Sequence, residues 1–189
     1  MPSSEPSGDE LLEQLRVVQR ELADAMRTNW NRDLPLPELI GDRWERARRL
    51  GFGEGTSIYD SSHVFGDVRV GRHTWIGPFT LLDGSGGLEI GDFCSISTGV
   101  QIYSHDTVDW AVSGGELPYE RAAVRIGSRC YIGAQTVVAK GVTIGEGAIV
   151  GACSFVHSDL PAGAIAVGTP ARVVGSAEFD GERVVRRYD

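Results

Sequence analysis

His105 is the side chain whose type best suits proton transfer near pH 7, since a neutral imidazole accepts a proton there. It opens a polar, glycine-rich and aromatic stretch, His105-Asp-Thr-Val-Asp-Trp-Ala-Val-Ser-Gly-Gly-Glu-Leu-Pro-Tyr-Glu-Arg. A base also needs its ring oriented and its imidazolium stabilised. Asp106, Asp109 and Glu120 are candidates for that, as is a backbone carbonyl, and the sequence does not choose among them. A lone histidine is more often structural than catalytic, so residue type alone does not assign it. No Ser or Cys nucleophile signature is present, so nothing in the residue types points to a covalent enzyme intermediate. A zinc hydratase would need three converging histidines. The four present, His63, His73, His105 and His157, belong to different parts of the chain, and no metal is expected. Cys94, Cys130 and Cys153 form no CxxC pair and read as buried apolar thiols.

The element that must position His105 announces itself by a beat of six. Ile58, Val64, Val70, Ile76 and Leu82 form one run, Ile90, Ile96 and Ile102 a second, and Ile126, Ile132, Val138, Ile144, Val150 and Val156 a third. Glycine often follows the aliphatic residue, as at Gly71, Gly77, Gly91, Gly127, Gly133, Gly145 and Gly151, and a small residue such as Thr74, Cys94, Cys130 or Thr136 often sits four places after it. A period of six fits neither a helix nor an alternating strand. It marks an all-β fold, a parallel β-helix of hexapeptides in which three repeats close a triangular turn of about 18 residues. Known coils of this kind wind left-handed, against the usual crossover rule. The aliphatic and small residues point inward and stack from coil to coil, and glycine is expected to supply the unusual backbone angles at the corners.

Two departures interrupt the beat. Asp83-Gly-Ser-Gly-Gly adds two residues between Leu82 and Ile90, and the stretch from about 104 to 123 reads as a loop expelled from the coil. Loops on rigid scaffolds are where function concentrates. The expected organisation is an N-terminal extension over 1–55, a β-helix over 56–175 and a tail over 176–189. Residues 1–8 read as disordered. Ser7 and Glu10 are spaced as a capping box, and Leu11, Leu15, Val18, Leu22 and Ala25 predict a helix over about 9–28. A second helix is predicted over about 38–50, stopping near Gly51. The tail, with Arg183, Arg186 and Arg187, shows no assignable pattern.

The chain has 189 residues, 41% of them hydrophobic, and a formal net charge of −8. That charge argues against nucleic acid as a partner. No apolar leader and no stretch long enough to span a membrane are seen, so a cytoplasmic location is expected.

From 90 to 175 the chain resembles the hexapeptide-repeat acyltransferases, and is most similar to the sugar O-acetyltransferase branch. Val100-Gln-Ile-Tyr-Ser-His105-Asp is similar to the catalytic segment, Ile126-Gly-Ser-Arg-Cys-Tyr-Ile-Gly-Ala and Gly141-Val-Thr-Ile-Gly to the cofactor coils, and Gly168-Thr-Pro-Ala-Arg-Val-Val to the closing turn. The resemblance implies transfer of an acetyl group from acetyl-CoA to a sugar-type hydroxyl by a homotrimer with sites between subunits, and His105 as general base. It implies that the amides of Ala134 and Ala152 bond the pantetheine arm, with Gly133 and Gly151 keeping those corners open. Tyr131 takes the place of a usual aromatic residue, and Arg172, with Lys140 second, is the candidate for a CoA phosphate. The family often has Thr-Lys where this chain has His157-Ser158, so a phosphate contact has to come from elsewhere, the tail arginines being candidates.

On the acceptor side the resemblance points to Asp83, whose carboxylate can accept two sugar hydroxyls; a turn aspartate beside Gly84 is the competing reading. Tyr103, Trp110 and Tyr119 are candidates for an apolar platform under a sugar ring, or for core packing. N-acetylation of an amino sugar uses the same base chemistry and stays open, as does an acceptor carrying a nucleotide. A non-catalytic scaffold is the alternative outside the enzymes.

Overall fold

The computed structural model describes residues 6–189. The chain divides into two compact units, residues 1–42 and 43–189. In the first, helix α1 spans Gly8–Trp30. Its start is a reciprocal cap: the Ser7 hydroxyl accepts the Glu10 N–H at 3.3 Å and the Glu10 carboxylate accepts the Ser7 N–H at 2.7 Å. Asn31, in the left-handed region at φ 52°, closes the other end. Of the stretch expected to be disordered, residues 1–5 lie outside the described residues, and Ser7 and Gly8 belong to the helix start. In place of one helix over 38–50 there are two, α2 (Leu36–Ile40) and α3 (Arg43–Arg49). Gly41 is extended, at φ −78° and ψ 138°, and that breaks the run. Among the described residues no helix is long and apolar enough to cross a membrane.

The second unit is a parallel β-helix of hexapeptide repeats. On the first face Ile58, Ile76, Ile96, Ile132 and Val150 stand in register. On the second the column is Val64, Leu82, Ile102, Val138 and Val156, and on the third Val70, Ile90, Ile126 and Ile144. All of these are buried except Val64, which is half-buried. The small inward residues form a second ladder. Thr56 and Thr74 donate through Oγ1 to the carbonyls of Gly71 and Gly91, at 2.7 and 2.9 Å. Cys94 and Cys130 continue it through Sγ, to Gly127 at 3.1 Å and Gly145 at 3.2 Å. The buried thiols thus serve as donors as well as fillers, while Cys153 is exposed.

The corners differ from the expectation. The glycine after each aliphatic residue does not carry the positive φ. That angle falls two places later, on His73, Phe79, Phe93, Arg129, Gln135, Gly147 and Cys153, at 53° to 71°. Six of these seven bear side chains, in a region that costs an L-residue roughly 1–2 kcal/mol. Coil-to-coil bonds hold them there, such as Phe93 N–H to the Arg72 carbonyl at 2.8 Å and Arg129 N–H to that of Asp92 at 2.7 Å. The glycines answer to a different constraint, the nearness of the next coil. A Cβ on Gly91 would lie 2.5 Å from the Ser128 nitrogen, and one on Gly133 2.5 Å from that of Ala152.

The first coil rests on α3. Ala47 and Phe52 are buried beneath it. Arg46 reaches up to donate to the carbonyls of Tyr59 and, at 2.7 Å, Ser62, and pairs with Asp60 at 3.5 Å. At the far end Ala164–Gly168 completes the first face in parallel, and the chain then reverses. Ala171–Phe179 pairs antiparallel with it, and Val184–Tyr188 adds a last antiparallel strand, so the tail that lacked a sequence pattern is ordered sheet.

Gly91→Ala is expected to cost about 1–3 kcal/mol through overpacking against Ser128, whereas Arg129→Gly, at a positive-φ corner, should be close to neutral. Urea titrations of both variants check this, and equal losses would contradict the assignment of the two corner roles.

Candidate functional site

The corner joining the second face to the third carries every departure from regularity. In three successive coils it holds Asp83–Gly87, then the stretch after Tyr103, then Ala139-Lys140-Gly141. The expelled segment is itself ordered. His105–Asp106 pairs antiparallel with Glu120–Arg121, and a short helix α4 (Val108–Val112) forms its tip. The base of this ribbon is closed by Ala122 N–H to the Ser104 carbonyl at 2.9 Å.

Asp83 lies under that base, with its side chain 2% exposed. Its Oδ1 accepts the Ser85 amide at 2.9 Å and the Ser85 hydroxyl at 2.5 Å. Its Oδ2 accepts the Ser104 amide at 2.8 Å and hydroxyl at 3.3 Å, and meets His105 Nδ1 at 2.6 Å. The Ser104 hydroxyl in turn accepts the Gly86 N–H at 2.8 Å. A Cβ on Gly86 would run into the Ser104 carbonyl, which is why the insertion needs glycine there. Burial alone would push the Asp83 carboxyl up, but the Ser85 hydroxyl, His105 and the two amides outweigh it and hold it well below the usual carboxylate range. An ionised Asp83 can only accept. Nδ1 of His105 therefore carries a proton, and in the neutral imidazole this tautomer leaves the lone pair on Nε2, on a side chain 33% exposed.

This arrangement corrects two expectations. Asp83 is not an acceptor-binding carboxylate, because both its oxygens are buried and filled by donors from its own chain. The group orienting His105 is Asp83 itself rather than Asp106, Asp109 or Glu120. Asp106 and Glu120 instead face Lys140, whose Nζ binds Asp106 Oδ2 and, at 2.6 Å, Glu120 Oε2. Those two carboxylates push the ammonium pKa up. Lys140 is thus engaged in an ion triad at the foot of the ribbon and not free for a phosphate. Asp109 is exposed in α4. Ser85 and Ser104 are not predicted from the sequence; the insertion at 83–87 marks only Ser85, and Ser104 stands at the foot of the expelled stretch.

On the acceptor side, Tyr103 donates its hydroxyl to Gln101 Oε1 at 2.6 Å. Trp110 meets Tyr119 edge-on at 5.6 Å on the ribbon, both rings partly exposed. The other histidines lie against phenylalanines, His63 on Phe65, His73 on Phe93 and His157 on Phe155. Among the described residues no three His, Cys, Asp or Glu side chains gather as a metal site would require.

The remaining candidates sit elsewhere on the coil. Gly133-Ala134 and Gly151-Ala152 occupy the corner between the first and second faces, stacked by Cys153 N–H to the Ala134 carbonyl at 2.8 Å. Among the described residues the amides of Ala134 and Ala152 have no acceptor. Gly133 and Gly151 both lie close under the coil above: a Cβ on Gly151 would lie 2.7 Å from Val167 Cγ1. Tyr131 points outward from the first face, half exposed, in register with Ser95 and Ile149. Arg172 is exposed opposite Val167, and its guanidinium donates to the adjoining Ala171 carbonyl. One chain therefore brings Asp83, His105 and Lys140 to one corner and the Ala134 and Ala152 amides to another.

The model of the bacterial transferase hexapeptide, six repeats, matches residues 123–158. Over those residues the chain is similar to the hexapeptide-repeat transferases. A probable acetyltransferase of Mycobacterium tuberculosis is 30% identical over 149 residues, 77% of this chain and 48% of that protein. Among solved structures, a hexapeptide-repeat acetyltransferase from Vibrio cholerae O1 biovar eltor, complexed with acetyl coenzyme A, aligns with a TM-score of 0.64 and 28% identity over 85% of this chain and 87% of that one. A variant of AntD, an N-acyltransferase from Bacillus cereus in complex with dTDP and coenzyme A, aligns with a TM-score of 0.59 and 26% identity over 70% and 88%. The chain spans about a third to a half of the length of the curated relatives it matches. Within this hexapeptide-repeat chain, the model's match covers Lys140, Ala134 and Ala152 but stops short of His105 and Asp83.

Because its folded-state pKa lies below its unfolded one, Asp83 stabilises the fold in full above the ordinary value of about 3.9. That contribution is lost as the pH falls below it toward the depressed value. Asp83→Asn should therefore lose stability less steeply than the native protein between about pH 4 and pH 2. Urea titrations at stepped pH measure the two slopes, and equal slopes would give Asp83 an ordinary pKa.

Proposed function

We propose that the protein is an acetyltransferase that moves an acetyl group from acetyl-CoA to a hydroxyl of a sugar or sugar-containing acceptor. The observation that carries this reading is the Asp83–His105 pair at 2.6 Å, with Nδ1 committed to a buried carboxylate and Nε2 left to take a proton. The acceptor hydroxyl attacks the thioester carbonyl as His105 Nε2 removes its proton. Asp83 stabilises the imidazolium through Nδ1 and remains ionised. As the C–S bond breaks, the same proton passes from Nε2 to the leaving thiolate, giving the acetyl ester and free CoA. The unpaired amides of Ala134 and Ala152 suit the amide-bearing arm of CoA, and Arg172 is the cation proposed for one of its phosphates. Tyr103 and Trp110 are proposed to line the acceptor side.

The separation of His105 from the Ala134 and Ala152 corner supports a site shared between neighbouring copies of a homotrimer. The outward residues agree with such packing. The first two faces expose Trp75, Tyr131 and Phe155, whereas the third carries the charged ladder of Arg69, Glu89 and Arg125. One observation favours a second acceptor class, an amino sugar carried on a nucleotide: AntD, similar over most of its length, is an N-acyltransferase seen with dTDP. The base chemistry is the same for both.

His105→Ala should lower turnover by about 10²–10⁴-fold while leaving CoA binding intact. Calorimetric titration with CoA and acetyl-CoA, beside assays on sugars and amino sugars, checks both halves. Unchanged turnover would remove the base, and no binding at millimolar ligand would favour a non-catalytic scaffold. Arg172→Ala should weaken CoA binding. Mixed oligomers of His105→Ala and Arg172→Ala chains should regain part of the activity through a site drawn from two copies. Undiminished affinity would reject Arg172, and the absence of any recovery would reject the shared site.

A further inference from the structure

We propose that Lys140 is a positioning residue that holds the His105 ribbon shut against the repulsion of its own carboxylates. Asp106 and Glu120 stand directly opposite each other across the two antiparallel strands. Like charges so placed destabilise a strand pair. The pair is only two residues long on each side, with His105 facing Arg121 as its other rung, so the strand pairing itself offers little to offset that repulsion. Lys140 comes from the next coil, a separate and rigid element, and its Nζ binds both carboxylates. Beside it Gly141 N–H donates to the Ala122 carbonyl at 3.1 Å, and Ala122 N–H closes onto Ser104, the residue that also feeds Asp83. Asp106 spends its second oxygen on the Val108 amide, the start of α4, at 3.1 Å. One ammonium therefore cancels the repulsion, ties the ribbon to the coil, and keeps the His105 backbone where its ring meets Asp83. The role assigned to Lys140 in catalysis rests on His105 being the base; its role as a clamp does not.

The test compares Lys140→Met, Lys140→Arg and the double variant Lys140→Met with Glu120→Gln, by steady-state kinetics and by amide hydrogen exchange over residues 104–122. Lys140→Met should lower kcat by about 10- to 100-fold, as a displaced catalytic group does, and change KM for acetyl-CoA by less than about twofold. Lys140→Arg should keep most of kcat, and adding Glu120→Gln to Lys140→Met should restore much of it by removing the repulsion. Exchange at the ribbon amides should speed up in Lys140→Met and slow again in the double variant. A raised KM for acetyl-CoA with kcat intact, or no recovery in the double variant, would overturn the proposal in favour of a phosphate-binding lysine. Unchanged ribbon exchange in Lys140→Met would overturn the clamp whatever His105 does. Faster ribbon exchange together with full activity of His105→Ala would leave the clamp standing and defeat the base alone.

Discussion

Everything in this molecule depends on how closely one coil lies on the next. The inward aliphatic columns bury apolar surface only by stacking, and at corners such as Gly91 and Gly133 the next coil lies too near to leave room for a Cβ. Glycine is thus demanded by neighbouring backbone, while the costly backbone angle is displaced two residues on, to positions where side chains such as Phe93 and Arg129 project outward. The interior is fixed by sterics and the corners remain free to vary in chemistry.

Against so regular a frame, the candidate site is built from irregularity. The two-residue insertion at Asp83 and the ribbon after Ser104 fall at the same corner in consecutive coils, so one provides the carboxylate and the other the imidazole it orients. Ser104 belongs to both. Its amide and hydroxyl serve Asp83, its carbonyl closes the ribbon, and its hydroxyl holds Gly86. A rigid coil can keep such a pair pre-oriented at little cost in mobility, which is the condition for a positioned base.

The inward columns were legible because a period of six has few physical explanations, and each predicted aliphatic residue stands in its column. The site was legible only in part. His105 could be picked out by type and by its place before the ribbon, but Asp83 lies 22 residues away, and only the pairing of successive coils brings the two together. The candidates offered by the stretch after His105 were Asp106, Asp109 and Glu120; the fold turns the first and last toward Lys140 and leaves Asp109 exposed. Lys140 itself looked like a free cation because its partners come from a segment more than a dozen residues distant. Residue type and spacing report on what lies along the chain, and this site is assembled across it.

A stack of parallel strands has two open ends, and each is a template on which another chain's strands would add. At one end α3 fills the opening, with Phe52 and Ala47 beneath the first coil and Arg46 occupying the carbonyls of Tyr59 and Ser62. At the other the chain turns back on itself, and the outermost strand, Val184–Tyr188, carries Arg186 and Arg187. Reversal of direction ends the parallel register, and charge on the last edge opposes a further partner. The same sequence features that terminate the coil thereby keep a shape suited to endless growth from becoming a fibre.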